Sequence, residues 1–198
     1  MAWLLPKVPP WVETYHLTYM TVGWIAIILV AGYLARDNRE YLWLMSTAVV
    51  GQYITDLLDG AVGRLRNTGL VRWGFYMDHF LDYCFLSSLV VAYWLISPYE
   101  YKYILFMVFI ASTAYFVHTI LYFGATGQFE IATDGVGPTE IRGIVIMINT
   151  MLIVFDKIVS TPFLMLFFIG NVFYLLHAIY IAQQKIWRMD MKIKNKRK

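Results

Sequence analysis

Four aspartates lie in two apolar stretches of the sequence. Asp56 and Asp59 are three residues apart, and Asp78 and Asp82 are four apart, so each pair would share one face of a helix. An ionised carboxylate in an apolar span is costly unless something compensates its charge. A hard cation such as Mg²⁺ prefers oxygen ligands and commonly combines a few carboxylates with phosphate oxygens and water. Two such ions would neutralise four carboxylates together with a pyrophosphate, which points to metal-assisted chemistry at phosphorus.

Glycines and an arginine share the faces that carry these aspartates. Gly60 and Gly63 follow the first pair of aspartates in helical register, and Gly74 precedes the second pair. Residues without a side chain leave room for a ligand or for a close neighbouring helix. Arg64, one turn beyond Gly60, can donate two parallel hydrogen bonds to a phosphate.

Two other interpretations of the aspartates remain open on charge alone. Polar side chains can hold helices together, although Ser, Thr, Asn and Gln are the usual choices for that purpose. Carboxylates within spans also line the cation and proton pathways of transporters.

Composition indicates the environment in which these residues work. Of 198 residues, 60% are hydrophobic and 15% are charged, whereas soluble domains carry about 25% charge. This excludes a soluble domain and predicts a membrane protein. The net charge of +3 comes from Lys and Arg residues near predicted helix ends and in the C-terminal tail, so we expect no nucleic-acid partner.

Six apolar runs approach the length that crosses a bilayer, which predicts an all-α polytopic protein with six transmembrane helices. The predicted spans are residues 19–35, 41–64, 74–96, 101–123, 141–155 and 162–182. We expect one membrane domain over residues 1–198. Within it, residues 1–18 would form an interfacial segment and residues 183–198 a basic cytoplasmic tail.

The distribution of Lys and Arg predicts the orientation of the spans. Most of them fall at the two termini or around the loops after spans two and four. By the positive-inside rule, both termini and those loops are cytoplasmic. The aspartates would then form a site between spans two and three at the cytoplasmic side of a bacterial inner membrane or an endomembrane.

The motif that joins these residues resembles the signature of the CDP-alcohol phosphotransferases, also called CDP-alcohol phosphatidyltransferases. It occupies the stretch DLLDGAVGRLRNTGLVRWGFYMDHFLD. Its first half spaces Asp56, Asp59, Gly60 and Arg64 as in the family, with Gly63 at a position where the family usually has alanine. The resemblance implies an enzyme of phospholipid synthesis, which transfers a phosphatidyl or phosphoalkyl group from a CDP-alcohol to an acceptor alcohol and releases CMP.

The resemblance implies a role for each matched position. Three aspartates would be ligands of two Mg²⁺ or Mn²⁺ ions, namely Asp56, Asp59 and Asp78. Asp82 would contact metal and serve as the general base that takes the proton of the acceptor hydroxyl. Asp59 would also contact the nucleotide, and the walls of the CDP pocket would be Gly60, Gly63, Arg64 and Gly74.

A second resemblance concerns the substrate. His79, beside Asp78, and the segment 137–140, which ends in Glu140, are similar to the branch that transfers phosphocholine or phosphoethanolamine to diacylglycerol. His79 either orients a phosphate or packs between helices. Glu140 and Arg142 either contact acceptor or nucleotide or form a solvated helix start.

Partners follow from the same resemblance. We expect a CDP-alcohol donor, an alcohol or lipid acceptor and membrane lipids. Because members of the family often form homodimers, the resemblance also implies a homodimer, with no sequence feature that assigns its interface. The alternative functional class is a membrane cation or proton carrier, or a catalytically silent relative.

Overall fold

The computed structural model describes residues 5–67, 70–128, 138–155 and 161–196, and these contain six long helices and no strand. The helices are α1 (Thr14–Leu34), α2 (Leu42–Arg66), α3 (Val71–Ile96), α4 (Tyr99–Thr126), α5 (Pro138–Phe155) and α6 (Thr161–Lys196). The all-α class predicted from the sequence is confirmed. Residues 1–4 of the predicted interfacial segment and residues 197–198 of the predicted tail lie outside the described part of the chain.

Four of these helices are long and apolar enough to cross a bilayer, as far as the described residues go: Thr14–Leu34, Val71–Ile96, Tyr99–Thr126 and Leu164–Lys196. The protein is therefore an integral membrane protein with several spans. Helix α2 carries Asp56, Asp59, Arg64 and Arg66, and these polar residues lower its mean hydropathy. Six passes, and cytoplasmic termini, stay predictions.

Helix boundaries differ most from the predicted spans at the two ends of the chain. Helix α1 begins at Thr14, five residues before the predicted span, because Glu13 and His16 form a capping box in which the Glu13 N–H donates to His16 Nδ1 (3.0 Å). Such a box satisfies amide groups that a helix start leaves without partners. Helix α6 continues to Lys196, fourteen residues beyond the predicted span, because the Lys- and Gln-containing segment favours a helix outside hydrocarbon as well.

Internal contacts divide the chain into two units. Unit 1 holds α1, α2, α3 and α5, and unit 2 holds α4 and α6. This division rests on contacts alone, so the single membrane domain expected from the sequence stays a prediction.

In unit 1, α1 is the central packing element. It packs against both α2 and α3, and α5 packs against α2. The apolar core includes Ile28 of α1, Met45 of α2, Phe85 of α3 and Leu152 of α5. Within the described residues, the backbones of α2 and α3 do not pack directly on each other. The two helices that carry the aspartates are therefore both held by α1.

The contact between α1 and α3 is unusually close at one position. A Cβ placed on Gly32 would lie 2.5 Å from the Ala92 Cβ and 2.8 Å from the Ala92 Cα. Small residues on both helices permit this approach, as is common where membrane helices pack without large side chains between them.

In unit 2, α4 packs against α6. The rings of Tyr115 of α4 and Tyr174 of α6 lie with their centroids 5.2 Å apart and their planes tilted by 34°. Lys185 places its ammonium 5.3 Å from the centroid of the Tyr122 ring. A small cavity of about 40 Å³ lies beside these residues.

Candidate active site

All four motif aspartates lie in unit 1, and we call them the aspartate cluster. Asp56 and Asp59 are on α2, and Asp78 and Asp82 are on α3. Asp78 experiences electrostatic repulsion from each of the other three. Two pairs that are separated by about twenty residues in the sequence are thus brought together by the fold.

Asp59 is the most buried member of the cluster, with 8% of its surface exposed. Its Oδ2 accepts a hydrogen bond of 2.5 Å from the Thr18 hydroxyl of α1. Thr18 is itself buried. A hydrogen bond to an ionised group compensates part of the cost of burying it, so α1 contributes directly to the site.

Asp56 forms an ion pair with Arg142 of α5. Nη2 of Arg142 donates to Oδ2 of Asp56 at 3.0 Å. The same guanidinium lies 5.3 Å from the centroid of the Tyr53 ring, and the arginine is 9% exposed. Burial and the aromatic face restrict the guanidinium to this position.

A side chain of α2 holds Asp82 of α3 in place. Nε2 of Gln52 donates to Oδ1 of Asp82 at 3.4 Å, and Oε1 of Gln52 accepts from Nε of Arg142 at 3.0 Å. Gln52 is 1% exposed. A chain of hydrogen bonds therefore runs from Asp56 through Arg142 and Gln52 to Asp82.

Asp78 differs from the other three aspartates. Within the part of the chain that the structure describes, it accepts no hydrogen bond and forms no ion pair, and its interactions are the repulsions from the rest of the cluster. Four carboxylates together carry more negative charge than Arg142 neutralises. The cluster is therefore suited to bind further positive charge.

The chemistry of these donors suits a hard divalent cation, since every ligand would be an oxygen. As the side chains stand, no group of three or more His, Cys, Asp or Glu residues among those described is gathered closely enough to hold a metal ion. Shared coordination would therefore require the carboxylates to converge further. The aspartate cluster matches Mg²⁺ or Mn²⁺ in ligand type and charge.

The residues expected to border a nucleotide lie on the same two helices. Arg64 is exposed and folds back over Gly60, because a Cβ on Gly60 would meet its Nη1 at 3.2 Å. Gly63 lies on the same helix and is partly exposed. Gly74, in the first turn of α3, has open space where a Cβ would be.

The remaining sequence-predicted residues separate into two groups. Arg142 is brought to the cluster by α5, as described above. His79 Nδ1 contacts the carbonyl oxygen of Phe75 at 2.5 Å, within its own helix. Glu140 lies in the first turn of α5 and is exposed, and Gly137 of the segment similar to the amino-alcohol branch lies outside the described residues.

Sequence reasoning missed Gln52 and Thr18. Gln52 precedes Asp56 by four residues, so helical periodicity alone could have placed it on the aspartate face of α2. Thr18 carries no such signal, because its contact with Asp59 spans forty-one residues.

Comparison with known protein families identifies the family of the chain. The family model for CDP-alcohol phosphatidyltransferase matches residues 15–183, and the chain belongs to that family. It is a family of membrane transferases, and it supports transfer of a phosphatidyl or phosphoalkyl group in phospholipid synthesis. Comparisons with curated proteins and with solved structures return no match.

Proposed function

We propose that this protein is an active transferase, which moves a phosphatidyl or phosphoalkyl group from a CDP-alcohol to an acceptor alcohol and releases CMP. One observation carries the proposal. Hydrogen bonds through Arg142 and Gln52 connect Asp56 of α2 with Asp82 of α3. Among the described residues the two helices pack on α1 and not on each other, so these side chains bring the two halves of the motif to one site. Such a site concentrates oxygen ligands and negative charge, which divalent ions would neutralise.

The aspartate cluster would hold two divalent ions, through Asp56, Asp59, Asp78 and Asp82. When bound, the ions would supply positive charge to a pyrophosphate that the carboxylates alone would repel. Gly60, Gly63 and Gly74 would let the nucleotide approach the helix backbones, and Arg64 would donate to a phosphate oxygen.

Asp82 would act as the general base. The acceptor oxygen attacks the β-phosphorus of the donor, a new oxygen–phosphorus bond forms, and the bond to CMP breaks so that CMP departs with the electron pair. Because a free alcohol is a far weaker acid than a carboxylic acid, Asp82 takes the hydroxyl proton as the new bond forms. Positioning of the two substrates would provide much of the rate enhancement.

A strongly anionic acceptor is disfavoured, because the sequence of residues 124–142 carries three acids, Glu130, Asp134 and Glu140, against one basic residue, Arg142. Amino-alcohol transfer to diacylglycerol is the substrate pair that His79 and Glu140 favour by their resemblance to that branch. Phosphatidyl transfer from CDP-diacylglycerol to a polar alcohol is the other assignment that the same site chemistry allows.

Release of CMP by the purified full-length protein tests this proposal. One reaction set contains Mg²⁺, CDP-ethanolamine or CDP-choline, and diacylglycerol. The other contains Mg²⁺, CDP-diacylglycerol and polar alcohols. We expect CMP release in one set only, and its loss on chelation of the metal. Folded protein that releases no CMP in either set, but moves cations or protons across sealed vesicles, would refute the proposal in favour of a carrier.

A further inference from the structure

We propose that Gln52 is a positioning residue for Asp82, and that Arg142 fixes the direction of its amide group. This inference rests on the proposed function, in which Asp82 is the general base. It assigns a role to a buried residue outside the aspartate motif.

The orientation of the Gln52 amide follows from the chemistry of its two neighbours. Arg142 has N–H donors and no acceptor, so its Nε must meet the amide oxygen (3.0 Å). An ionised Asp82 has acceptors and no donor, so it must meet the amide NH₂ (3.4 Å). The reversed amide would place donor against donor and acceptor against acceptor. Because Gln52 is 1% exposed, water cannot relieve those contacts, and one orientation is selected.

The hydrogen bond between Gln52 and Asp82 joins the two helices that carry the aspartates. The helices α2 and α3 do not pack directly on each other within the described residues, yet the Gln52 side chain of α2 reaches Asp82 of α3. It therefore fixes the distance between Asp82, the proposed base, and the two aspartates of α2. Gln52 engages Oδ1 of Asp82, which leaves Oδ2 to accept the proton of the acceptor hydroxyl.

Arg142 links the contact between Gln52 and Asp82 to Asp56 of α2. Its Nη2 donates to Asp56 while its Nε donates to Gln52. One guanidinium from α5 thus orients a proposed metal ligand directly and the proposed base through Gln52. The planar guanidinium of arginine holds its donors in fixed directions, so it suits two simultaneous hydrogen bonds better than a lysine ammonium would.

Two substitutions at position 52 separate positioning from a purely structural role. Gln52→Glu keeps an oxygen acceptor for Arg142, and turns that contact into an ion pair, but places a negative charge against Asp82. Gln52→Met removes both hydrogen bonds at similar volume. The expected result is a fall in kcat of about 10- to 100-fold for both variants, with the KM for the CDP-alcohol changed less than kcat. Tm should fall in both variants, in Gln52→Met because two hydrogen bonds of a buried side chain are lost and in Gln52→Glu because the new buried carboxylate and Asp82 repel each other.

Asn149→Asp is the matched control. Asn149 is a fully buried amide of α5 that bonds to Ser46 and accepts from Tyr93, away from the aspartate cluster. Its conversion to an acid should lower Tm and leave kcat per folded protein unchanged.

The experiment measures Tm, kcat and KM for all four proteins. Wild-type kcat in Gln52→Glu would overturn the positioning role, as would a loss of kcat in Asn149→Asp as large as the loss in the Gln52 variants. Wild-type protein that releases no CMP would overturn the proposed function itself, and this inference with it.

Discussion

The two units of the molecule differ in the hydrogen bonds that their polar side chains make. In unit 1 some bond within their own helix, as Ser88 does to the Phe85 carbonyl oxygen. Others connect different helices, since Thr18 reaches Asp59, Gln52 reaches Asp82 and Arg142 reaches Asp56. In unit 2 the threonines return to their own helix: Thr113, Thr119 and Thr126 of α4 each donate to a carbonyl oxygen four residues earlier.

The two kinds of polar contact differ in their energetic cost. A threonine that bonds to its own helix satisfies its hydroxyl without a partner helix and carries little energetic risk. Carboxylates grouped together repel one another and lose hydration. Unit 1 tolerates this group through fixed contacts from α1, α2 and α5, which is the pattern expected where a charged substrate binds.

The largest expected effect comes from Asp82→Asn. The asparagine oxygen can still accept from Gln52, so the fold should persist, but the side chain can no longer take a proton. Turnover should fall about 10²- to 10⁴-fold, measured as CMP release per folded protein. Thr119→Val in unit 2 is the control, because it removes a bond within one helix, and it should keep wild-type turnover. Equal losses in the two variants would contradict the contrast between the units.

Helix packing in unit 1 is tested by Gly32→Ala. The added Cβ would lie 2.5 Å from the Ala92 Cβ, so α1 and α3 must separate, at an expected cost of about 1–3 kcal/mol in the free energy of unfolding. Gly124→Ala in α4 is the control, since no atom lies within 4 Å of its added Cβ. Thermal unfolding in detergent should show a lower Tm for Gly32→Ala and no decrease for Gly124→Ala.

Gly74→Ala tests the proposed nucleotide site of unit 1 without an expected effect on its fold. Nothing in the protein lies within 4 Å of the added Cβ, so Tm should not fall. If Gly74 borders the CDP group, the added methyl should weaken donor binding by several-fold, seen as a raised KM for the CDP-alcohol. An unchanged KM would remove Gly74 from the proposed pocket.

The smallest effect is expected from Tyr122→Phe in unit 2. Among the described residues the Tyr122 hydroxyl is buried without a hydrogen-bond partner, so its removal should leave the free energy of unfolding unchanged or raise it by up to about 1 kcal/mol. Tyr93→Phe in unit 1 provides the comparison. That hydroxyl donates to Asn149 Oδ1 at 2.8 Å, and its loss should destabilise the protein by about 1 kcal/mol. A larger loss in Tyr122→Phe would show that its hydroxyl has a partner in solution.

The all-α class, the family and the approximate limits of the helices could be predicted from the sequence. Apolar run length indicates which segments span a membrane, and the spacing of Asp56, Asp59, Asp78 and Asp82 carries the resemblance to the family. Helix ends were less predictable, because the start of α1 depends on the Glu13 and His16 cap and α6 is stable beyond its apolar run.

The sequence by itself determined that carboxylates would share helix faces, because helical periodicity is local. Only the tertiary structure decided which groups stabilise them. Thr18 and Arg142 are far from the motif along the chain, and their contacts with Asp59 and Asp56 depend on how α1 and α5 pack against α2. Gln52 lies one turn from Asp56, yet its role depends on Asp82 of another helix. Contacts between helices depend on packing and on the directions of buried donors, and no local spacing encodes them.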